Sequence, residues 1–180
     1  SLPANFIVTL PKITSPAQVA ALVELFEKLE ALLRLPAGTL KMELMIETTQ
    51  SIFNERGECS LPHLLAAARG RCVAAHFGTY DYTAACGITA AHQHITHPAC
   101  DFARHMMQVA FAGTGVWLSD GATNILPGPL YRAAEGGPPL TRAQIDENRA
   151  AVHRAWKLHV EHIQHSLVNG FYQGWDLHPA

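Results

Sequence analysis

The chain of 180 residues is poor in cysteine and in charge, and it lacks a long apolar run. Four cysteines without a CxxC pair argue against a disulfide framework, so we expect reduced thiols. A net charge of −2 with no basic run argues against nucleic acid or an anionic membrane as a partner. No apolar run reaches the roughly 18 residues that a membrane span needs, and the opening SLPANF lacks the order of a signal peptide. A cytoplasmic protein is therefore predicted.

The sequence has enough apolar residues to build a core, with 48% hydrophobic residues against 16% charged ones. We therefore expect one globular domain over residues 1–180. Short β-branched runs alternate with stretches in which apolar residues recur every three or four positions. This alternation predicts an α/β fold with about five parallel strands. The strands are predicted at 6–10, 40–46, 71–77, 115–119 and 174–179, and the helices at 16–33, 49–53, 62–69, 101–112 and 142–169.

Charged residues stand where several predicted strands end. Glu47 follows the apolar LMI, Asp81 follows the glycine turn of AHFGTYDYT, and Lys12 follows FIVTLP. Since parallel strands present their carboxyl ends at one edge, we expect Glu47 and Asp81 to converge there and to bind magnesium. The alternative is that both acids only cap their strands. The metal hypothesis would have to be discarded if the two acids lay on opposite sides of the molecule, or if either were locked in an ion pair with lysine or arginine.

Lys12 and Asp120 are the candidates for a catalytic role at the same edge. Lys12 either faces the site or is a solvated loop cation, and the sequence shows neither the burial nor the cationic neighbour that a Schiff-base lysine needs. Asp120, which follows GVWLS, either reaches the site or caps the next turn. The segment 121–139, rich in proline and glycine, is predicted to be a long loop at this end or a lid. The general base stays unassigned.

A segment dense in histidine and cysteine follows the third predicted strand. It contains Cys86, His92, His94, His97 and Cys100. Their spacing matches no paired-ligand zinc template, so a polar loop near the mouth of the site is favoured over a zinc site. Some of these histidines could instead touch a substrate, or serve as an acid or base near neutral pH.

Four pieces of the sequence, in order, resemble the citrate lyase beta-subunit and HpcH/HpaI aldolase family: LPKITSPAQV at 10–19, IET at 46–48, FGTYDYTAACGI at 77–88 and NGFYQGWDLHPA at 169–180. The resemblance implies part of a TIM (β/α)8 barrel whose strands are equivalent to strands 4–8, with the N-terminal strands missing. Five strands cannot close such a barrel, so we expect the chain to be the carboxyl-terminal portion of a longer polypeptide. IETTQSIFNERGE followed by GTYDYT also resembles malate synthase.

The resemblance implies a magnesium-dependent carbon–carbon lyase or aldolase of the citrate lyase type. Such an enzyme cleaves or forms a bond in a hydroxy or oxo acid, or in its acyl-coenzyme A thioester, through a metal-stabilised enolate. Glu47 and Asp81 would hold Mg²⁺, or Mn²⁺ in its place. Gly78 would let the backbone approach the small carboxylic acid substrate, and the amides of Thr79 and Tyr80 would meet its carboxylate. A homo-oligomer, trimer or hexamer, is also implied.

Two alternatives stay open. The likeness to malate synthase implies condensation of a thioester enolate with glyoxylate. Outside enzymes, the upstream arginine and acids of the family are absent from this sequence, so the chain could instead be a non-catalytic metal-binding or interaction module. Magnesium binding by the wild type and by Glu47→Ala and Asp81→Ala variants tests the metal site on which the enzyme reading depends.

Overall fold

The computed structural model describes residues 2–3 and 5–175, which form one parallel sheet with helices packed against it. The strands are β1 Ile7–Leu10, β2 Lys41–Ile46, β3 Cys72–Phe77, β4 Trp117–Asp120 and β5 Gln173–Gly174. The helices are α1 Pro16–Leu33, α2 Thr49–Ile52, α3 Leu61–Ala67, α4 Thr79–Ala85, α5 Pro98–Phe111 and α6 Arg142–Val168, with a 3-10 turn at Ala90–His92. Residues 121–141 form neither helix nor strand, as predicted for the loop, whereas its role as a lid stays a prediction.

The five strands lie in the order β1-β2-β3-β4-β5, and each pairs in parallel with the next. The predicted α/β fold with about five parallel strands is confirmed. β5 starts one residue before the strand predicted at 174–179, and 176–179 lies outside the described residues. Because all five strands run the same way, their carboxyl ends meet at one edge of the sheet, which we call the carboxyl edge.

One face of the sheet forms the hydrophobic core. Successive strand residues point to opposite faces, and Met42, Leu44 and Ile46 of β2 and Ala75 and Phe77 of β3 are fully buried. They pack with apolar residues of three helices, namely Val19, Val23, Phe26, Leu61, Leu64, Ala103, Met107 and Phe111. Each large apolar side chain buried in this way stabilises the fold by about 1.5–3 kcal/mol relative to its exposure. The core thus ties α1, α3 and α5 to one side of β2 and β3.

Helices α1, α2 and α6 begin at the residue that the sequence predicts, whereas α5 begins three residues earlier than predicted and α4 was not predicted. Ser15 precedes α1 and Thr141 precedes α6. Gln18 Oε1 accepts a hydrogen bond from the Ser15 N–H at 3.1 Å, and Gln144 Oε1 accepts one from the Thr141 N–H at 2.9 Å. Glutamine at this position satisfies a backbone donor that would otherwise lack a partner. The turn between β1 and α1, which contains Lys12, is therefore fixed at its helical end.

Apolar spacing in α5 and α6 overstates how much of each helix is buried. Phe102 and Trp156 stand at apolar positions of these helical patterns, yet they are 48% and 56% exposed. In α6 the buried positions are Ala155, His162 and Ser166. A spacing of three and four indicates an apolar face but does not show that a neighbour covers it. No helix in the described part of the chain is long and apolar enough to cross a membrane.

Candidate functional site

The carboxyl edge of β1, β2 and β3 brings one lysine and two acids together. Glu47 directly follows β2, Asp81 lies in the first turn of α4, and Lys12 lies two residues beyond β1. The Lys12 ammonium contacts Asp81 Oδ2 and lies 3.7 Å from Glu47 Oε1. Both carboxylates therefore lie beside the same ammonium group. The two acids therefore converge, while their role as metal ligands stays a prediction.

The Glu47 side chain is buried and held from two sides. Its Oε1 accepts a hydrogen bond of 2.8 Å from the backbone N–H of Lys12. On the other side it packs on Gly78, where a Cβ atom would lie 2.6 Å from Glu47 Cβ and 2.8 Å from Oε2. Gly78 has a φ of −97°, so glycine is required here by space rather than by backbone conformation. We expected Gly78 to let the backbone approach a substrate, but its observed contact is with Glu47.

The three charged groups shift one another's proton affinity. Burial raises the pKa of Glu47, the Lys12 amide and charge oppose that shift, and nearby Asp81 adds to it. The hydrogen bond from Lys12 lowers the pKa of Asp81, and the same contact raises the pKa of Lys12. Lys12 and Asp81 are therefore both charged at neutral pH.

The ion pair of Lys12 with Asp81 is the contact that would overturn the metal hypothesis if it locked the acid in place. Both side chains are more than half exposed, at 59% and 55%. Such a pair contributes only about 0–1 kcal/mol, because water competes for both groups. The pair of Arg71 with Glu30 is different, since both side chains are buried and their closest atoms lie 2.7 Å apart. The Lys12 pair is thus open to competition from solvent, unlike the buried pair of Arg71 with Glu30.

The chemistry of this donor set suits a hard divalent cation. Magnesium takes one or two protein carboxylates and keeps its other positions for water and substrate oxygens. Glu47 and Asp81 supply two carboxylates and already flank one cation, the Lys12 ammonium. Within residues 2–3 and 5–175, no group of three or more histidine, cysteine, aspartate or glutamate side chains could hold a metal. A divalent ion held by these two acids would thus share its coordination with water or substrate.

Thr79 and Tyr80, whose amides we expected to meet a substrate carboxylate, form the start of α4. The first hydrogen bond of α4 runs from the Tyr82 N–H to the Gly78 carbonyl at 3.1 Å, so the N–H groups of Thr79, Tyr80 and Asp81 have no partner within the helix. The Tyr80 hydroxyl donates to the Ala122 carbonyl at 2.8 Å, which ties α4 to the loop after β4. Both residues thus lie beside Asp81 in sequence and in space, and substrate binding by them stays a prediction.

Asp120 ends β4 at the same edge but lies in a separate buried cluster. It is 1% exposed, and its carboxylate accepts hydrogen bonds from Arg104 at 3.0 Å, from the Ser166 hydroxyl at 2.6 Å and from the Gly121 N–H at 2.8 Å. Arg104 is fully buried and also donates to Asp101 at 2.6 Å. These bonds occupy the carboxylate, so the geometry gives Asp120 a structural role and no support for a catalytic one.

The cysteine and histidine side chains of the segment from Cys86 to Cys100 do not form one cluster in the described residues. Cys86 is exposed, whereas Cys100 is fully buried, and burial raises the pKa of Cys100 to about 12, so it stays a thiol. The His94 and His97 rings lie 5.7 Å apart. His94 bonds to Thr96, and His97 accepts a hydrogen bond at the start of α5. The contacts of these two histidines are thus local ones, within the loop and at a helix cap.

A row of hydrogen-bonded polar side chains lies on the other face of the sheet and was not predicted from the sequence. Glu43 accepts hydrogen bonds from Thr9 Oγ1 at 2.8 Å and from Ser119 Oγ at 3.4 Å, and His76 Nδ1 lies 2.8 Å from Ser119 Oγ. Burial lowers the pKa of His76 to about 4, so this ring is neutral at pH 7. The available signal was that Glu43 and His76 alternate with core residues along their strands. Joining them also required the order of the strands.

The fold and the site define an α/β protein whose parallel sheet carries a pair of acids and a lysine at its carboxyl edge. The chain belongs to the family described as "Domain of unknown function (DUF6986)", whose model matches residues 1–180. This description names no activity. The resemblance to the HpcH/HpaI and citrate lyase family therefore stays a prediction at the level of sequence.

Solved structures with a similar fold include malate synthase from Haloferax volcanii. Its lead(II) complex matches with a TM-score of 0.56 and 18% identity, over 97% of this chain and 40% of that chain. Its magnesium/glyoxylate complex matches with a TM-score of 0.55 and 18% identity, over 97% and 41%. An HpcH/HpaI aldolase/citrate lyase family protein from Burkholderia cenocepacia matches at 0.49 and 14%, over 90% and 64%. The chain thus spans well under half of the malate synthase chain, and the likeness concerns the fold.

Proposed function

We propose that this chain forms the metal-binding half of an active site that makes or breaks a carbon–carbon bond in a hydroxy or oxo acid, or in its acyl-coenzyme A thioester. The proposed ion is Mg²⁺, with Mn²⁺ as its substitute, held by Glu47 and Asp81. The observation that carries the proposal is that these two acids, 34 positions apart, flank a single cation at the carboxyl edge. Parallel α/β folds place their ligand sites at this edge.

The groups at the proposed site have different roles in binding the ion and the substrate. Glu47 is immobilised by the Lys12 amide and by its contact with Gly78, so it fixes the position of the ion. Asp81 is charged and exposed, so it can reach an ion from the solvent side. A bound Mg²⁺ supplies Lewis acidity towards a carbonyl oxygen. The amides of Thr79 and Tyr80, unpartnered within α4, are the groups proposed to receive a substrate carboxylate.

Proton transfer is not a task for Lys12 or Asp120. Contact with Asp81 raises the pKa of Lys12, so its ammonium keeps its proton, whereas a base or a Schiff-base nucleophile needs a lowered pKa. Asp120 is occupied by Arg104. The proposed role of Lys12 is therefore electrostatic.

A malate-synthase-like condensation with glyoxylate is the second candidate. It is favoured by the fold likeness to a magnesium/glyoxylate complex of malate synthase, which extends over 97% of this chain. The two candidates share the same metal ligands. The second differs in that glyoxylate accepts the enolate of a thioester and hydrolysis of the thioester then releases free coenzyme A. Consumption of acetyl-coenzyme A with glyoxylate, followed as release of free thiol, distinguishes condensation from cleavage of a hydroxy acid.

The proposed assembly is a cytoplasmic homo-oligomer, a trimer or hexamer. Apolar side chains are exposed on the face of the sheet away from α1, α3 and α5, with Ile7 at 41% and Trp117 at 65%. Exposed apolar patches of this kind mark surfaces that another protein surface covers. Sedimentation velocity measures the assembly state directly.

The proposal is tested by magnesium titration of the wild type, Glu47→Gln and Asp81→Asn in a calorimeter. Both variants keep the side-chain shape but remove one carboxylate charge, so we expect at least tenfold weaker binding in each. Glu43→Gln, on the strand that Glu47 directly follows, and Asp146→Asn, with a 50% exposed ion-paired carboxylate, are the matched controls and should bind as the wild type does. Equal affinity in all five proteins would overturn the proposal.

A further inference from the structure

We infer that Lys12 is a built-in competitor for the divalent cation: its ammonium occupies the space between Glu47 and Asp81 in the absence of metal and withdraws when metal binds. Lys12 thereby sets the affinity of the site. This inference rests on the proposed function, because it assumes that the two acids bind a divalent ion. It adds that a third residue of the chain controls how tightly they do so.

Lys12 contributes two separable groups to the site. Its backbone N–H donates to Glu47 Oε1 at 2.8 Å, which helps to hold that buried carboxylate. Its ammonium contacts Asp81 and lies 3.7 Å from the same Glu47 oxygen. The first contact depends on the backbone alone, so any residue at position 12 other than proline keeps it. The second depends on the positive charge.

The ammonium can leave without a change in the fold. The Lys12 side chain is 59% exposed, so water replaces its contacts when it turns outward on its flexible four-carbon stem. The adjacent Ile13 is fully buried and anchors the backbone. Glu47 is 4% exposed and stays in position, whereas Asp81 is 55% exposed and can adjust to a new partner. The only element that must move is therefore the lysine side chain.

A divalent ion and the ammonium cannot share this space. Both would lie within about 4 Å of the same carboxylate oxygens, and like charges at that separation repel strongly even near a protein surface. Binding of the ion thus includes the loss of the Lys12 contacts and the withdrawal of its charge. Removing the charge should raise the affinity for the ion roughly two- to fivefold, the scale of a partly exposed ion pair.

The inference is tested with Mn²⁺, whose free ion is counted by electron paramagnetic resonance. Lys12 has a φ of 53°, and methionine and arginine are unbranched at Cβ like lysine, so Lys12→Met and Lys12→Arg bear similar backbone strain and can be compared directly. We expect Lys12→Met to bind Mn²⁺ roughly two- to fivefold more tightly than the wild type and Lys12→Arg to resemble the wild type. Equal or weaker binding by Lys12→Met would overturn the inference while leaving the proposed function intact. Absence of binding by all three proteins would overturn both.

A second measurement follows the ammonium itself. The chain has four lysines, Lys12, Lys28, Lys41 and Lys157, and limited acetylation followed by peptide mass spectrometry reports each amine separately. Saturating Mg²⁺ should increase acetylation of Lys12 severalfold, because the freed amine loses its carboxylate partner, and should leave the other three unchanged. The increase should vanish in Asp81→Asn. Unchanged or reduced acetylation of Lys12 with Mg²⁺ would contradict displacement.

Discussion

Two charged clusters lie at the carboxyl edge of one sheet and differ in their access to solvent. Arg104 and Asp120 are 0% and 1% exposed, and the bonds of Asp120 to Ser166 and Gly121 complete its partners. Lys12 and Asp81 are 59% and 55% exposed. An acid at the end of a parallel strand is therefore not a functional residue by its position alone. What distinguishes the two clusters is whether a carboxylate can exchange its cation.

The largest expected effect is the loss of stability in Arg104→Met. Removing the guanidinium leaves the buried Asp120 carboxylate without its cation, which costs about 3–5 kcal/mol in comparable buried pairs. The free energy of unfolding from urea titration should fall by that amount. A loss below about 1 kcal/mol would show that the buried cluster is as exchangeable as the exposed one.

The next effect is a pH dependence that comes from His76. Burial lowers its pKa to about 4, while the unfolded side chain titrates near 6.5. The unfolded state therefore binds the proton first, so stability is full above pH 6.5 and falls as the pH drops towards 4, by at most about 3 kcal/mol. The pKa of His162 is lowered in the same direction by burial. Urea unfolding between pH 4 and 7 measures the slope, and His76→Gln should flatten it; an unchanged slope would contradict the assignment.

Gly78→Ala tests whether the exposed cluster depends on the fixed position of Glu47. The added methyl group would lie within 3 Å of the Glu47 side chain, which must shift, so we expect a loss of about 1–3 kcal/mol in stability. Magnesium affinity should fall at least tenfold, because the fixed ligand moves. Gly128→Ala, where a Cβ meets nothing within 4 Å, is the matched control. Equal magnesium affinity in the two variants would show that metal binding does not depend on the position of the Glu47 side chain.

The smallest expected effect on stability is that of Lys12→Met. Its ion pair is exposed, so the free energy of unfolding should change by less than about 1 kcal/mol. This is the counterpart of Arg104→Met, and urea titration of both variants in one buffer compares the two clusters. A loss as large as that of Arg104→Met would show that Lys12 is a structural cation.

The parallel sheet and the convergence of Glu47 with Asp81 were predictable, because alternating strands and helices imply one shared carboxyl edge. The partner of Glu30 was not. Arg71 reaches it from 41 positions away with bonds of 2.7 and 2.9 Å, and Glu30 lies within a helix whose spacing suggested only apolar contacts. The contact of Gly78 with the Glu47 side chain was also not predictable, since the local sequence does not show which side chain packs on a glycine. The pattern of residues along the chain does not show which side chains of distant elements come into contact.

The most direct test of the account is a crystal grown with Mn²⁺ and measured at the manganese absorption edge. The account predicts an anomalous peak within about 2.5 Å of a carboxylate oxygen of both Glu47 and Asp81, with the Lys12 ammonium turned away from them. A peak at the histidine-rich segment alone, or density that keeps the ammonium between the two acids at saturating Mn²⁺, would contradict it.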